Sequence, residues 1–136
     1  MINWIACNTD RFKVLVSHAG TFNAETRAYT TDELWFLEWE IGCLPHENHK
    51  KAQKFSPHMY VDKIKTPMLI TQGEIDYRCP ISQSLGLFTA LQTLNVPSKL
   101  LYFPDESHRI SKPANIQVWH NIILEYINDY IDGKIT

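Results

Sequence analysis

The 136-residue sequence predicts an α/β fold with a mostly parallel sheet and helices on both faces of that sheet. Residues 67–131 read as strand, helix, strand and helix in turn, which favours a crossover connection between parallel strands. The run "VLV" at residues 14–16 lacks polar alternation, as is typical of a strand buried on both faces. With 44% apolar residues, the chain can form one compact core and is too short for two ordinary domains.

The chain opens with a predicted helix and a predicted strand. Residues 1–8 present Ile2, Trp4 and Ile5 without a polar cap before them, which indicates a helix entered midway. Residues 12–20, "FKVLVSHAG", predict a short strand that ends at a glycine. A helix followed directly by a strand extends the α/β pattern of the second half.

Residues 30–57 are rich in aromatic side chains but are interrupted by glycine and proline. Thr31 or Asp32 can cap a helix there, and Gly42 then stops it. A second short helix is predicted over residues 47–55, followed by a loop. The region indicates an excursion from the sheet that covers another part of the protein.

The second half of the chain has the clearest elements. Residues 67–73, "PMLITQG", predict a strand, and residues 80–95 predict a helix because their apolar side chains recur every three or four positions. Residues 98–105 predict another strand, and residues 115–131 predict a helix with a broad apolar stripe. These two strands are therefore expected to be parallel.

Charge and hydropathy exclude two classes of protein. Thirteen basic and fifteen acidic residues give a net charge of -2 and are scattered, so no nucleic acid partner is expected. No apolar stretch is long enough to cross a bilayer and no leader follows Met1, so no membrane partner is expected either.

The cysteine and histidine patterns predict neither a metal site nor a cofactor. Three separated cysteines without a C-x-x-C pair indicate neither a disulfide framework nor a zinc knuckle. They fit a reducing compartment, so we expect a cytoplasmic protein unless a longer form carries a signal peptide before Met1. His46, His49 and His58 lack partners at ligand spacing and are expected at the surface.

Two polar loops follow the two clear strands. The first, "GEIDYRCP", contains Asp76, and the second, "PDESHRISKP", contains His108. Because the carboxyl ends of parallel strands meet at one edge of a sheet, these side chains are expected close together. A carboxylate that accepts the Nδ1 proton of an imidazole leaves Nε2 free to act as a general base. A strand-end Asp and a loop His taken alone are, however, more often structural or merely exposed.

A nucleophile for such a triad is not found. No G-x-S-x-G motif occurs, and the seven serines lack the glycine-flanked turn that exposes a nucleophile between a strand and a helix. The order of acid before histidine fits triads in which the nucleophile comes first in the chain.

Four segments together resemble a known family: "NWIACNTDRFKVLVSHAGTFN", "ELWFLEWEIG", residues 55–115 and "VWHNIILEYI". In order and spacing they look like the C-terminal part of the catalytic domain of the prolyl oligopeptidase family of serine peptidases, in the style of its dipeptidyl-peptidase-5-like and acylaminoacyl-peptidase-like branches. The resemblance covers nearly the whole chain and implies the C-terminal portion of an α/β-hydrolase fold. It also implies that residues 1–136 are a partial catalytic domain, because "MINWI" matches the family's "MTNWI", which follows the nucleophile elbow.

The resemblance assigns roles to three residues. Asp76 matches the family's acid, His108 its base, and Arg78 a position that often binds a substrate carbonyl, a task that suits a guanidinium fork. Cys79 departs from the usual valine, and Ser107 departs from the usual glycine or asparagine. A left-handed backbone at Ser107 would strain the loop and displace His108.

Three aromatic residues are candidates for substrate binding. Trp35, Phe36 and Trp39 are placed to line a hydrophobic pocket for the substrate side chain next to the scissile bond. The alternative is that they belong to the core, as aromatic stripes on short helices more often do.

These observations lead to a first hypothesis and two alternatives. The first is a serine peptidase that hydrolyses short peptides through an acyl-enzyme, with this chain inactive alone because it lacks the nucleophile. The second is a binding or assembly module in which an exposed sheet edge or apolar faces form a homo-oligomer. The third is an esterase or lipase of the same fold, because a triad does not fix the acyl group that is cleaved.

Overall fold

The computed structural model describes residues 1–134 and contains one parallel sheet of three strands. The strands are β1 (Leu15–His18), β2 (Met68–Gly73) and β3 (Ser98–Phe103), and they lie in the order β1-β2-β3. Leu69 of β2 is in register with Val16 of β1 and with Lys99 of β3. The predicted parallel sheet is therefore confirmed.

Helices accompany the sheet on both sides. Those of the described residues are α1 (Ile2–Asn8), α2 (Ala24–Ala28), α3 (Trp35–Ile41), α4 (His49–Lys54), α5 (Ile81–Thr93) and α6 (Pro113–Ile131), with a 3₁₀ segment at Pro57–Lys63. The helices predicted at residues 1–8, 47–55, 80–95 and 115–131 are confirmed to within about two residues at each end, which is the usual uncertainty of a helix boundary.

The central strand β2 is buried along its whole length and presents alternate side chains to two layers. Met68 and Ile70 belong to the main hydrophobic core, which also takes in side chains of α1 and α5. Leu69 and Thr71 point to the other face, where Trp119 Nε1 of α6 donates a hydrogen bond to Thr71 Oγ1 at 3.1 Å. Each fully buried Met or Leu side chain contributes about 1.5–3 kcal/mol to stability, so β2 anchors both layers.

Two elements differ from the sequence prediction. Helix α2 lies where no element was predicted, although Asn23 caps it by accepting bonds from Glu25 N and Thr26 N. The predicted loop after residue 55 was wrong in part, because residues from Pro57 onward form the 3₁₀ segment. Proline at the first position of a helical turn has the required φ and no amide hydrogen to satisfy.

The start of α3 also differs from the prediction. The helix begins at Trp35 and not beside Thr31 or Asp32. Thr31 Oγ1 donates to Arg78 O at 2.9 Å and accepts from Glu33 N, so it fixes the loop before the helix instead. Gly42 ends α3 as predicted, with a left-handed φ of 78°.

Within residues 1–134, no helix combines the length and the apolar character needed to cross a membrane. The same residues contain no group of three or more His, Cys, Asp or Glu side chains placed to hold a metal ion. Cys7, Cys43 and Cys79 are buried free thiols.

Candidate active site

Asp76 lies in the loop after β2, and its carboxylate is held by the backbone that follows it. The residue is only 1% exposed. Its Oδ1 accepts hydrogen bonds from Arg78 N at 3.0 Å and from Cys79 N at 2.8 Å. An aspartate that bonds the amides two and three residues ahead stabilises a tight turn, so the local sequence itself aims this side chain.

Gln72, near the end of β2, completes the surroundings of this carboxylate. Its Nε2 donates to Asp76 Oδ2 at 3.0 Å and to Cys79 O at 3.1 Å. Its Oε1 accepts from Ser84 Oγ of α5 at 2.7 Å, which fixes which end of the amide faces Asp76. The sequence pattern did not single out Gln72, since one polar residue in an apolar strand has no partner visible in the sequence.

His108 lies on the loop after β3 and meets Asp76 across the sheet edge. Its Nδ1 is 3.0 Å from Asp76 Oδ2, the same oxygen that accepts from Gln72. Because an ionised carboxylate only accepts, Nδ1 carries the proton and Nε2 is left without one in the neutral ring. The His108 side chain is 37% exposed, so the ring is reachable from solvent while its partner is buried.

Glu106 holds the loop that carries His108. The residue is buried, and its carboxylate accepts bonds from Ser111 N, Ser111 Oγ, Lys112 N and Asn115 Nδ2 at 2.8–3.1 Å. Burial raises the pKa of Glu106, but these bonds outweigh that effect and leave the pKa below its usual value. The sequence analysis missed this residue, although an acidic residue shortly before a helix start is a known signal for binding free amides.

The loop of His108 packs closely on the end of β2. A Cβ added at Gly73 would lie within 3.0 Å of the backbone oxygens of both Glu106 and Ser107, so glycine is required for close approach. Of the non-glycine residues among 1–134, only Ala19 and Asn95 have a positive φ. Ser107 therefore avoids the left-handed backbone, and the strain considered for it does not arise.

A second histidine, His18, lies at the end of β1 and touches the loop of His108. Its Nε2 is 3.1 Å from His108 O, and its Nδ1 is 2.8 Å from Thr71 Oγ1. Because a carbonyl only accepts, Nε2 carries the proton of the neutral ring and Nδ1 accepts from the threonine hydroxyl. Burial lowers the pKa of His18, which favours this neutral form. His18 and His108 are 90 positions apart in the sequence, so this contact could not be predicted from a local pattern.

Arg78 lies beside the acid and base and is partly exposed. Its NH2 group donates to Glu33 Oε1 at 2.6 Å, and Glu33 Oε2 accepts from Trp35 Nε1 at 2.8 Å. Arg78 Nε has no hydrogen-bond partner among the described residues. Together with Asp76 and His108 it lines a surface recess of about 470 Å³. Three of the predicted site residues therefore meet in one place.

None of the three predicted aromatic residues lines the recess that contains Asp76 and His108. Trp35 and Phe36 stack at 4.5 Å between ring centroids, and Trp39 is 77% exposed. None of the three lines the cavity of about 540 Å³ that is bordered by Leu37 and by the end of β1 either. Trp35 is connected to Arg78 only through Glu33.

No nucleophile is bonded to His108 within residues 1–134. None of the side-chain hydrogen bonds of the serines, threonines and cysteines there involves His108 Nε2. Ser17 donates to Asn3 at 2.7 Å, Ser84 to Gln72 at 2.7 Å, and Ser111 to Glu106 at 3.1 Å. The arrangement thus pairs an oriented imidazole with a buried carboxylate, and no hydroxyl or thiol of the described residues is bonded to that imidazole.

Comparisons with curated proteins give a consistent pattern. The model of the prolyl oligopeptidase family matches residues 1–134. Dipeptidyl-peptidase 5 of Aspergillus oryzae is 41% identical over 134 residues, covering 96% of this chain and 18% of that protein. Dipeptidyl-peptidase 5 of Porphyromonas gingivalis is 36% identical over 135 residues, covering 96% of this chain and 20% of that protein. The chain spans about a fifth of the length of these relatives.

Solved structures share the same fold. Acylaminoacyl peptidase of Pyrococcus horikoshii superposes with a TM-score of 0.89 at 28% identity, over 94% of this chain and 22% of that one. A puromycin-hydrolyzing peptidase of Mycobacterium tuberculosis superposes with a TM-score of 0.75 at 30% identity, over 82% of this chain and 17% of that one.

Proposed function

Because the chain belongs to the prolyl oligopeptidase family, we propose that Asp76 and His108 are the acid and the base of its serine peptidase site. The family and the α/β-hydrolase fold are those that the sequence predicted. The observation that carries the proposal is the 3.0 Å contact between His108 Nδ1 and a buried carboxylate whose other positions are already filled.

In the proposed reaction, His108 Nε2 takes the hydroxyl proton of a serine while the serine Oγ forms a bond to the peptide carbonyl carbon. The carbonyl π electrons move to oxygen and then return as the C–N bond breaks. The imidazolium gives its proton to the departing amine, which leaves an acyl-enzyme. Water, deprotonated by the same Nε2, then hydrolyses the ester and restores the serine.

Asp76 has a positioning and an electrostatic part in this scheme. Its bond to Nδ1 keeps the ring proton away from Nε2 and stabilises the imidazolium when it forms. The bonds from Gln72 and from the turn amides fix the direction of the carboxylate.

Arg78 is proposed to bind a carbonyl of the substrate backbone. Its side chain is 41% exposed and lines the same recess as His108, while Glu33 holds one end of the guanidinium. Trp35, Phe36 and Trp39 stay proposed contacts for substrate side chains, and the exposure of Trp35 and Trp39 leaves their rings available for this.

We further propose that the serine is supplied by a residue outside the 136 residues, and that this chain alone does not turn over peptides. The support is that no hydroxyl or thiol of residues 1–134 donates to His108 Nε2. If a triad acts as a unit, losing its serine costs roughly six orders of magnitude in rate.

Chromogenic peptide substrates and a fluorophosphonate probe test the inactivity of the chain alone and the proposed roles of Asp76 and His108. The 136-residue chain should show neither turnover nor labelling, whereas labelling of one of its serines that disappears in His108→Ala would refute the inactivity. In a protein that joins this chain to the segment with the serine, His108→Ala should lower kcat by roughly 10⁶ and Asp76→Asn by roughly 10⁴. Full activity of either variant would refute the assignment.

A second candidate function is an assembly module formed by copies of this chain. It is favoured by Val118, Leu124 and Ile131 of α6, which are apolar and largely exposed. Sedimentation over a range of concentrations should then show self-association, and a monomer at high concentration would count against it.

A cytoplasmic location stays a prediction, supported by three cysteines that remain free thiols.

A further inference from the structure

We propose that His18 is a positioning residue for the proposed catalytic base, because it holds the backbone carbonyl of His108 in place. This inference rests on the peptidase function proposed above and adds a residue to that site. His18 acts through the backbone of His108 and takes no proton in the reaction.

The backbone next to the His108 ring has little else to hold it. Within residues 1–134, the backbone of residues 107–110 forms one hydrogen bond, in which His18 Nε2 donates to His108 O at 3.1 Å. The bonds of the Glu106 carboxylate begin only at Ser111, and the bond from Asp76 holds the imidazole and not the backbone. The contact from His18 therefore fixes the middle of this loop, where the proposed base lies.

A chain of hydrogen bonds that starts on α6 sets the direction of this contact. Trp119 Nε1 only donates, so Thr71 Oγ1 accepts from it at 3.1 Å. The threonine hydroxyl then gives its own proton to His18 Nδ1 at 2.8 Å. Because burial lowers the pKa of His18, the ring is neutral and keeps its one proton on Nε2, the nitrogen that faces His108 O. The indole and the carbonyl at the two ends thus fix the tautomer of the ring between them.

Packing also restricts the His18 ring. Thr71 is fully buried and lies directly opposite His18 in the register of β1 and β2. The indole of Trp119 meets the imidazole edge to face, with 5.4 Å between the ring centroids. The loop of His108 is therefore tied to two strands and a helix. Such a hold matters for a base, since a misplacement of about 1 Å can cost roughly a hundredfold in rate.

A purely structural role makes a different prediction. If His18 only fills space between β1 and α6, its loss lowers the stability of the protein and leaves the His108 ring as it was. If it positions the base, its loss weakens the bond between His108 Nδ1 and Asp76 Oδ2, because the ring moves with its own backbone.

His58 provides a matched control for this distinction. It is half-buried, its Nδ1 is 2.7 Å from Ser56 Oγ, and its ring lies edge to face with Phe22 at 6.1 Å. Burial lowers its pKa as it does that of His18. Among the described residues it makes no hydrogen bond to the loop of His108.

The test is the rate at which the His108 Nδ1 proton exchanges with water, measured by ¹H and ¹⁵N NMR on the 136-residue chain. In His18→Phe the exchange should be about three- to tenfold faster, the effect of losing one net hydrogen bond. In His18→Gln a side-chain amide can donate to the same carbonyl, so the rate should stay within about twofold of the unchanged chain. An unchanged rate in His18→Phe, or an equal increase in His58→Phe, would overturn the proposal.

Thr71→Val tests the same chain of bonds with a smaller perturbation, and it carries the test if His18→Phe does not fold. Valine nearly keeps the shape of threonine but removes the proton that His18 Nδ1 accepts. The His18 ring then loses its fixed tautomer, so exchange at His108 Nδ1 should be about two- to threefold faster. No change in this variant would refute the role of the chain that begins at Trp119.

Failure here is distinguishable from failure of the proposed function. A His108 ring without a proton on Nδ1 in the unchanged chain would refute the peptidase assignment and this proposal with it. A proton on Nδ1 that does not respond to His18→Phe would reject the positioning role and leave the peptidase assignment in place.

Discussion

The Asp76 carboxylate shows how densely the site is organised at the scale of single residues. Two turn amides occupy Oδ1, while Gln72 and His108 share Oδ2. These donors hold the buried carboxylate in one orientation, which points Oδ2 at His108. A single substitution among these donors should therefore affect the whole cluster.

The substitution Gln72→Leu tests whether the cluster around the Asp76 carboxylate depends on the one donor that the sequence did not predict. The change removes one of the two donors to Asp76 Oδ2 and also removes the partner of Cys79 O and of Ser84 Oγ, so it should lower the free energy of unfolding by about 2–3 kcal/mol. Urea denaturation provides the measurement. Gln92→Leu makes the same change at an exposed helix position and should cost less than about 1 kcal/mol. Equal costs for the two variants would show that the amide of Gln72 is dispensable.

His18 gives the protein a stability that depends on pH. Burial lowers its pKa below 6.5, while the nearby His108 and Asp76 charges act on it in opposite directions. Between pH 6.5 and the lower folded pKa, the unfolded chain binds a proton at this ring that the folded chain does not. The free energy of unfolding should therefore fall as the pH falls through that range.

Denaturation between pH 7.5 and 5 measures this slope. One proton contributes at most about 1.4 kcal/mol per pH unit. His18→Gln should reduce the slope without abolishing it, because burial also lowers the pKa of His58. A slope that is the same with and without His18 would contradict the neutral, buried ring.

The site depends, at the scale of elements, on how the end of β2 meets the loop after β3. Gly73 allows the backbone of residues 106 and 107 to lie against the strand, and Glu106 ties that loop to the start of α6. The position of His108 thus follows from strand, loop and helix together.

Gly73→Ala should disrupt this contact. The added Cβ would lie within 3.0 Å of two backbone oxygens, which cannot turn away as the end of a flexible side chain can, so we expect a loss of about 2–4 kcal/mol in the free energy of unfolding. Gly86→Ala, within α5, is the control. Its added Cβ would meet only the side-chain ring of Phe22, and alanine favours a helix more than glycine does. A loss at Gly73 no larger than at Gly86 would rule out the close approach.

The same scale explains what the sequence was able to predict. Asp76 and His108 were predictable as neighbours, because each follows an apolar strand and parallel strands end at one edge. The role of Gln72 was not predictable, because its amide bonds to Ser84 on the next helix and to the turn after β2. A local sequence pattern predicts a helix or a strand, whereas a contact between distant residues can be identified only once the fold is known.

At the scale of the whole molecule, the described residues form a sheet of three strands whose main hydrophobic core lies on one face. Met68 and Ile70 are fully buried against α1 and α5, while α6 on the other side leaves Leu124 and other apolar side chains exposed. The chain matches about a fifth of the length of its relatives in one continuous stretch. The proposed acid and base therefore lie on a unit that exposes apolar side chains on its second face.

The proton position on His108 tests the central claim most directly. Long-range ¹⁵N NMR on the 136-residue chain, at a pH where the ring is neutral, should find the proton on Nδ1 and none on Nε2. In Asp76→Asn the amide can donate to the ring instead, so the proton should move to Nε2. A ring already protonated at Nε2, or one that Asp76→Asn does not change, would contradict the pairing of Asp76 and His108 as acid and base.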